Sequence, residues 1–184
     1  GQQKEYVIAG GGNTSYKDEK LLWIKASGVN LGAIDENGFC VLDREKLNEI
    51  PNTTFSPDVV KREEEVKTLL MNSRIHPDSG LRPSVETSLH NLFEARFVVH
   101  THPTLVNGLM CSNLAEEKTQ KLFGEETLYI PYIDPGYILF SFVNKKLKEY
   151  RENFGNDPKI VMIQNHGLFV AADSADEIKG IHAG

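Results

Sequence analysis

Apolar positions along the chain fall into short runs separated by glycine, proline and charged clusters. The runs Tyr6-Val7-Ile8-Ala9, Leu21-Leu22-Trp23-Ile24-Lys25 and Gly38-Phe39-Cys40-Val41-Leu42 have strand length and strand composition. The polar turn Lys17-Asp18-Glu19-Lys20 between the first two predicts a hairpin. Further strands are predicted at Phe97-Val98-Val99-His100, over 127–132, over 158–163, and at Leu168-Phe169-Val170-Ala171, the last pair as a second hairpin. Helical spacing covers 44–49 behind an Asp43 cap, and a stretch through Leu70 that starts at Ser56-Pro57-Asp58 with proline in its first turn. It recurs over 85–94 behind Ser84, about 105–110, 113–124, 138–150 and 174–181. Hairpins mixed with helix-strand units predict an α/β fold whose central sheet is mostly antiparallel or mixed, with helices packed against it.

Composition narrows the classes. The 184 residues fit one domain, 1–184, able to bury roughly two thirds of its unfolded surface. With 40% hydrophobic and 25% charged residues, and no apolar stretch near the roughly 20 residues that span a bilayer, membrane insertion is not expected. A formal charge of −6 argues against a nucleic-acid surface, although a local pocket can still hold a small anion. Cys40 and Cys111 form no disulfide framework and read as reduced thiols, which predicts a cytoplasmic protein without a leader. Because the sequence stops inside a helical pattern, the natural protein is expected to extend further.

Three histidines carry the chemistry. Strand alternation places His100 and His102 on one face, and His166 follows a second apolar strand in Asn165-His166-Gly167. Three imidazoles with one open position are what a catalytic Zn²⁺ or another divalent metal requires. Strand-end histidines often only bond backbone carbonyls, but Pro103, the repeated pattern at His166 and the upstream Glu86 converge on one site. Gly10-Gly11-Gly12-Asn13-Thr14-Ser15 is no dinucleotide fingerprint and suits an anion cradle instead. Lys25-Ala26-Ser27-Gly28 and Arg82-Pro83-Ser84-Val85-Glu86 offer hydroxyls and N–H groups to complete it. The run Lys61-Arg62-Glu63-Glu64-Glu65 reads as a solvated helix face, His90 as a buried histidine beside the site, and His76 and His182 as surface or loop residues.

Together these motifs, with Thr87, His90, Pro131-Tyr132 and Pro135-Gly136, resemble the class II aldolase/adducin head family in order along nearly the whole chain. The resemblance implies a three-layer α/β/α fold, assembly as a homotetramer with interfacial sites, and zinc-dependent chemistry on sugar phosphates. It assigns His100, His102 and His166 to the metal, Glu86 to acid/base catalysis, and Asn13, Ser27, Gly28 and Ser84 to the substrate phosphate. Val85 departs from the pattern, standing where many members carry a second serine. The segment 86–100 resembles the aldolase half of bifunctional rhamnulose-phosphate aldolase/dehydrogenases. Tyr129, Tyr132 and Tyr137 are candidates for a tyrosine contributed across an interface. The implied reaction is cleavage of a ketose 1-phosphate, such as rhamnulose or fuculose phosphate, to dihydroxyacetone phosphate and an aldehyde. For the proton transfer, the Glu86 pKa is expected above that of free glutamate, against the field of the cation. Alternatives are a pentulose-phosphate 4-epimerase, a dehydratase or decarboxylase, or a non-catalytic adducin-like module.

Overall fold

A computed structural model describes residues 2, 5–7 and 11–183. Seven strands, β1 (Asn13–Lys17), β2 (Leu21–Lys25), β3 (Phe39–Asp43), β4 (Phe97–Thr101), β5 (Thr127–Ile130), β6 (Ile160–Ile163) and β7 (Gly167–Ala172), form one sheet in the order β3-β2-β1-β4-β7-β6-β5. Every neighbouring pair is antiparallel except β5 with β6. The sheet is therefore mixed and mostly antiparallel, as its sequence pattern predicts.

Helices cover both faces. On one side α1 (Arg44–Leu47), α2 (Val59–Asn72), α3 (Thr87–Leu92) and α6 (Tyr137–Phe154) bury Leu47, Leu70, Leu89 and Leu147 against Leu22, Val98 and Phe169 of the sheet. On the other side α4 (Thr104–Met110), α5 (Ala115–Phe123) and α7 (Ala175–Ala183) bring Met110, Ala115 and Ile178 onto Leu168, Val170 and Met162. Alternation along β7 feeds both layers, which is why all six of its residues are buried. Each fully buried leucine contributes roughly 1.5–3 kcal/mol of transfer free energy to this packing.

Helix starts follow capping chemistry. The Asp43 carboxylate accepts from the Glu45 N–H at 2.9 Å, and that of Asp58 accepts from Lys61 at 2.9 Å. Pro57 consequently lies before α2 rather than in its first turn. The helix expected over 85–94 is shorter, Thr87–Leu92, because the Ser84 hydroxyl accepts from the Glu86 N–H in the turn ahead of it.

The largest difference from expectation is the first strand. Tyr6 lies in a turn, Ile8 and Ala9 fall outside the described residues, and the hairpin partner of β2 is Asn13–Lys17. The inward positions of β1 are Asn13, Ser15 and Lys17, all buried and all polar. An apolar period cannot reveal such a strand. Each inward group instead finds a polar partner: Asn13 on Glu86, Ser15 on His90, and Lys17 on the carbonyls of His90 and Phe93. These bonds join β1 to α3 and to the residue just before it, which sets the position of Glu86 relative to the sheet.

Candidate metal centre

His100 lies near the end of β4, in register with Asn13 of β1 on one side and Phe169 of β7 on the other. Its ring is buried and stacks on Phe169, with centroids 4.2 Å apart and planes at 18°. His100 Nδ1 lies 3.0 Å from the carbonyl oxygen of Leu168. A carbonyl only accepts, so the proton sits on Nδ1 and the Nε2 lone pair faces the cavity.

His102 stands just beyond the strand, its backbone N–H donating to the Tyr6 carbonyl at 3.0 Å. His166 arrives from the β6–β7 turn, where Asn165 adopts a left-handed φ of 56°. Gly167 makes the approach possible: a Cβ there would lie 2.5 Å from His102 Cδ2 and 2.6 Å from the Thr101 carbonyl oxygen. Gly12, at φ +81°, likewise has the His100 carbonyl 3.0 Å from where a side chain would begin.

The three histidines bring ligand nitrogens within 4.8 Å of one another. His100 and His102 present Nε2 atoms 2.9 Å apart. Glu86 Oε1 lies 3.1 Å from His100 Nε2 and 3.3 Å from His166 Nε2. With the His100 proton held on Nδ1, its Nε2 lone pair faces the Nε2 of His102 and the carboxylate of Glu86, an acceptor-rich point suited to a cation. The donor set fits a divalent metal held by His100, His102 and His166, with the Leu168 carbonyl fixing the tautomer of the first ligand.

The surroundings shift the charges in a consistent direction. Burial lowers His102 to about 4, assisted by His100 and His166, so it is neutral and able to ligate. Burial alone would raise Glu86, whereas protonated His100 and His166 beside it outweigh burial and hold the carboxyl well below its usual range, a pull that neutral imidazoles do not supply. The elevation expected for catalysis is set against the field of a bound cation, and the lowering here comes from imidazolium charge in that place. In this geometry it is a carboxylate, ready to accept a proton.

The residues expected around the substrate separate into two groups. Asn13 is buried, its amide donating to Glu86 Oε2 at 3.4 Å and its carbonyl accepting from the Thr14 N–H. It lies on β1, so the glycine-rich segment is only in part the loop that an anion cradle supposed, and Ser15 faces His90 instead. Ser27 and Gly28 are exposed, and the Ser27 N–H donates to the Arg82 carbonyl at 2.9 Å, which brings their turn beside the Arg82–Ser84 segment. Ser84 is buried against Glu86.

His90 is buried as expected, with Nδ1 2.8 Å from Ser15 Oγ. Desolvation pushes it down to about 3, against the pull of Glu86. His76 is exposed, but His182 is not a loose surface residue: it meets Thr101 Oγ1 at 3.3 Å and lies edge-on to Tyr6. The charged run on α2 is likewise more than a solvated face, because Glu63 accepts from the Tyr137 N–H at the start of α6 and Glu65 from the Ser56 N–H. Tyr129 donates to Gln164, Tyr132 to Asp134, and Tyr137 packs on Phe55.

Motif reading missed Lys17 and Lys25. Lys17 donates to the carbonyls of His90 and Phe93 at 2.7 and 2.8 Å, capping the end of α3 distant from Glu86. Lys25 is buried, lowered by desolvation against the opposing charge of Glu86, and donates to the Val29 carbonyl at 2.8 Å. The inward direction of Lys17 follows from alternation along β1, a signal obscured by the expectation that lysine faces water, whereas Lys25 falls on the face opposite Leu22 and Ile24 and is buried at the strand end by the turn it braces. Among the described residues no helix is long and apolar enough to cross a membrane, and both cysteines are free.

Comparison with known proteins gives a consistent result. The family described as Class II Aldolase and Adducin N-terminal domain matches residues 2–181. An uncharacterized oxidoreductase of Bacillus subtilis, YuxG, is 26% identical over 181 residues, covering 91% of this chain and 24% of that protein. The chain thus spans about a quarter of that curated relative. The N-terminal class II aldolase domain of a conserved protein from Thermoplasma acidophilum superposes with TM-score 0.77 at 27% identity, over 96% of this chain and 80% of that one. L-fuculose-1-phosphate aldolase from Thermus thermophilus has TM-score 0.59 at 16% identity, over 98% and 81%, and shares the fold.

Proposed function

The chain belongs to the Class II Aldolase and Adducin N-terminal domain family, and from that premise we propose that it is a metal-dependent lyase. The proposed substrate is a ketose 1-phosphate of the rhamnulose or fuculose type, cleaved to dihydroxyacetone phosphate and an aldehyde. The supporting observation is the convergence of His100, His102 and His166 on a point that Glu86 also faces. Residues 1–184 would act as one domain, and the family resemblance favours a cytoplasmic homotetramer.

His100, His102 and His166 would hold Zn²⁺ or another divalent cation, which when bound supplies a Lewis acid that polarises the substrate's oxygens. Glu86 acts on the carbon: its carboxylate takes or returns the proton at the substrate carbon next to the carbonyl. Asn13 fixes that carboxylate from one oxygen, leaving the other turned toward the histidines. Ser27, Gly28 and Ser84 would hold the phosphate and orient the sugar, so that the reacting bond lies over Glu86.

The test measures metal by mass spectrometry in protein purified without chelators, together with dihydroxyacetone phosphate release from a panel of ketose 1-phosphates. We expect near-stoichiometric metal and release from one sugar. Glu86→Gln should keep the metal and lose release by about 10²–10⁴-fold. Metal without release would replace the lyase by the 4-epimerase or another reaction. Absence of metal would overturn the catalytic reading in favour of an adducin-like module.

A further inference from the structure

The phosphate end of the site is short of positive charge. A dianion must enter a protein whose formal charge is already −6, beside the carboxylate of Glu86. The Asn13 amide and carbonyl are committed to Glu86 and Thr14. Lys25 donates to the Val29 and Ala26 carbonyls, so its ammonium braces the turn that carries Ser27 and Gly28. The hydroxyls of Ser27 and Ser84 remain, and both are neutral. Val85, 84% exposed, adds no donor. Neutral hydroxyls can donate to an oxyanion but supply no positive charge to offset a dianion, and they lack the two parallel bonds of a guanidinium fork.

Arg82 supplies the missing charge. It stands beside Ser27 through the 2.9 Å backbone bond, and both residues line a cavity of about 390 Å³ together with Pro83, Val85 and Ser88. The Arg82 side chain is exposed, and among the described residues no acceptor engages its guanidinium. Acidic residues of the same cavity are already occupied: Glu63 accepts from the Tyr137 N–H and pairs with Arg62, and Glu64 pairs with Lys67. Arg82 is the free cation at this mouth, and its planar fork matches two phosphate oxygens at once.

We propose that Arg82 is the charged donor of this chain's phosphate subsite, acting beside the Ser27 hydroxyl. The identity of the sugar rests on the lyase reading, whereas binding of the anion does not. The test titrates inorganic phosphate calorimetrically into the full chain, as purified and again after chelation, so that ligation to a metal is removed from the second set. Wild type should bind phosphate saturably in both. Arg82→Ala should weaken binding about ten- to hundredfold, and Arg82→Lys by less, because it keeps the charge and loses the fork. Arg96→Ala, which removes an exposed cation lining a different cavity, should change nothing.

Absence of saturable binding by wild type, unchanged binding by Arg82→Ala, or equal weakening by Arg96→Ala would each overturn the subsite. If phosphate binding depends on Arg82 but no sugar is cleaved, the lyase reading fails and the subsite stands.

Discussion

The two ends of the candidate site are built on opposite principles. At the metal end His100 is 1% exposed and held by a stacked ring, a carbonyl and neighbouring strands on both sides. At the anion end Ser27, Gly28, Arg82 and Val85 are all exposed, joined by one backbone bond between two turns. On the proposed reading, packing would fix the reacting geometry and residues free of packing would select what reaches it. A substitution at the first end should cost stability and chemistry together, whereas one at the second should change affinity alone.

His100→Ala gives the largest expected effect. Loss of a ligand, rather than of an outer partner worth 10–100-fold, should reduce metal affinity by more than about a hundredfold, read as metal per chain after dialysis. Retained stoichiometric metal would show that the buried end does not bind it. Gly167→Ala should follow, because its methyl group would meet a backbone carbonyl and a ligand ring. We expect about 2–4 kcal/mol of destabilisation in denaturant melts, together with weakened metal binding.

The pH dependence of stability sharpens the contrast further, since only the buried side contains strongly displaced bases. His90 titrates at about 3 when folded against 6.5 when free, so the unfolded chain binds the proton first. Its contribution is complete above pH 6.5 and is lost as pH falls toward 3, at about 1.4 kcal/mol per pH unit. Lys17 is depressed by burial to about 7, so stability from this group should rise as pH climbs from 7 toward 10.5. Denaturant midpoints across pH should flatten on the acid side in His90→Gln and on the alkaline side in Lys17→Met. Unaltered limbs would remove these groups as the cause.

The smallest expected effect belongs to the open end. Val85→Ser should leave stability within about 0.5 kcal/mol and tighten phosphate binding by a few-fold, as one added neutral hydrogen bond allows.

Legibility in the sequence follows the same division. His100, His102 and His166 were readable as candidate ligands because they stand at strand ends in short motifs, and the structure brings all three together. Strands β2 to β7 were readable from apolar runs, whereas β1 was not, because Asn13, Ser15 and Lys17 turn inward to polar partners that lie 73 to 76 residues away for Asn13 and Lys17. The pull of the histidines on Glu86 is illegible for a similar reason. Burial was foreseeable, but the two imidazoles that overcome it come from distant segments. The role proposed for Arg82 is not legible in its motif, since it depends on which neighbouring charges are already taken.

The contacts that define the centre join parts of the chain far apart, with His166 80 residues from Glu86 and Leu168 68 residues from His100. Such closures carry a high loop entropy, and the complete set of candidate ligands exists only once β4 and β7 have met. The unfolded chain keeps just the local His-X-His pair. A cation would then bind the finished protein far better than its precursor, and thermal stability would climb with the logarithm of free metal. For this architecture the metal supply of the cell would also govern how much of the protein survives.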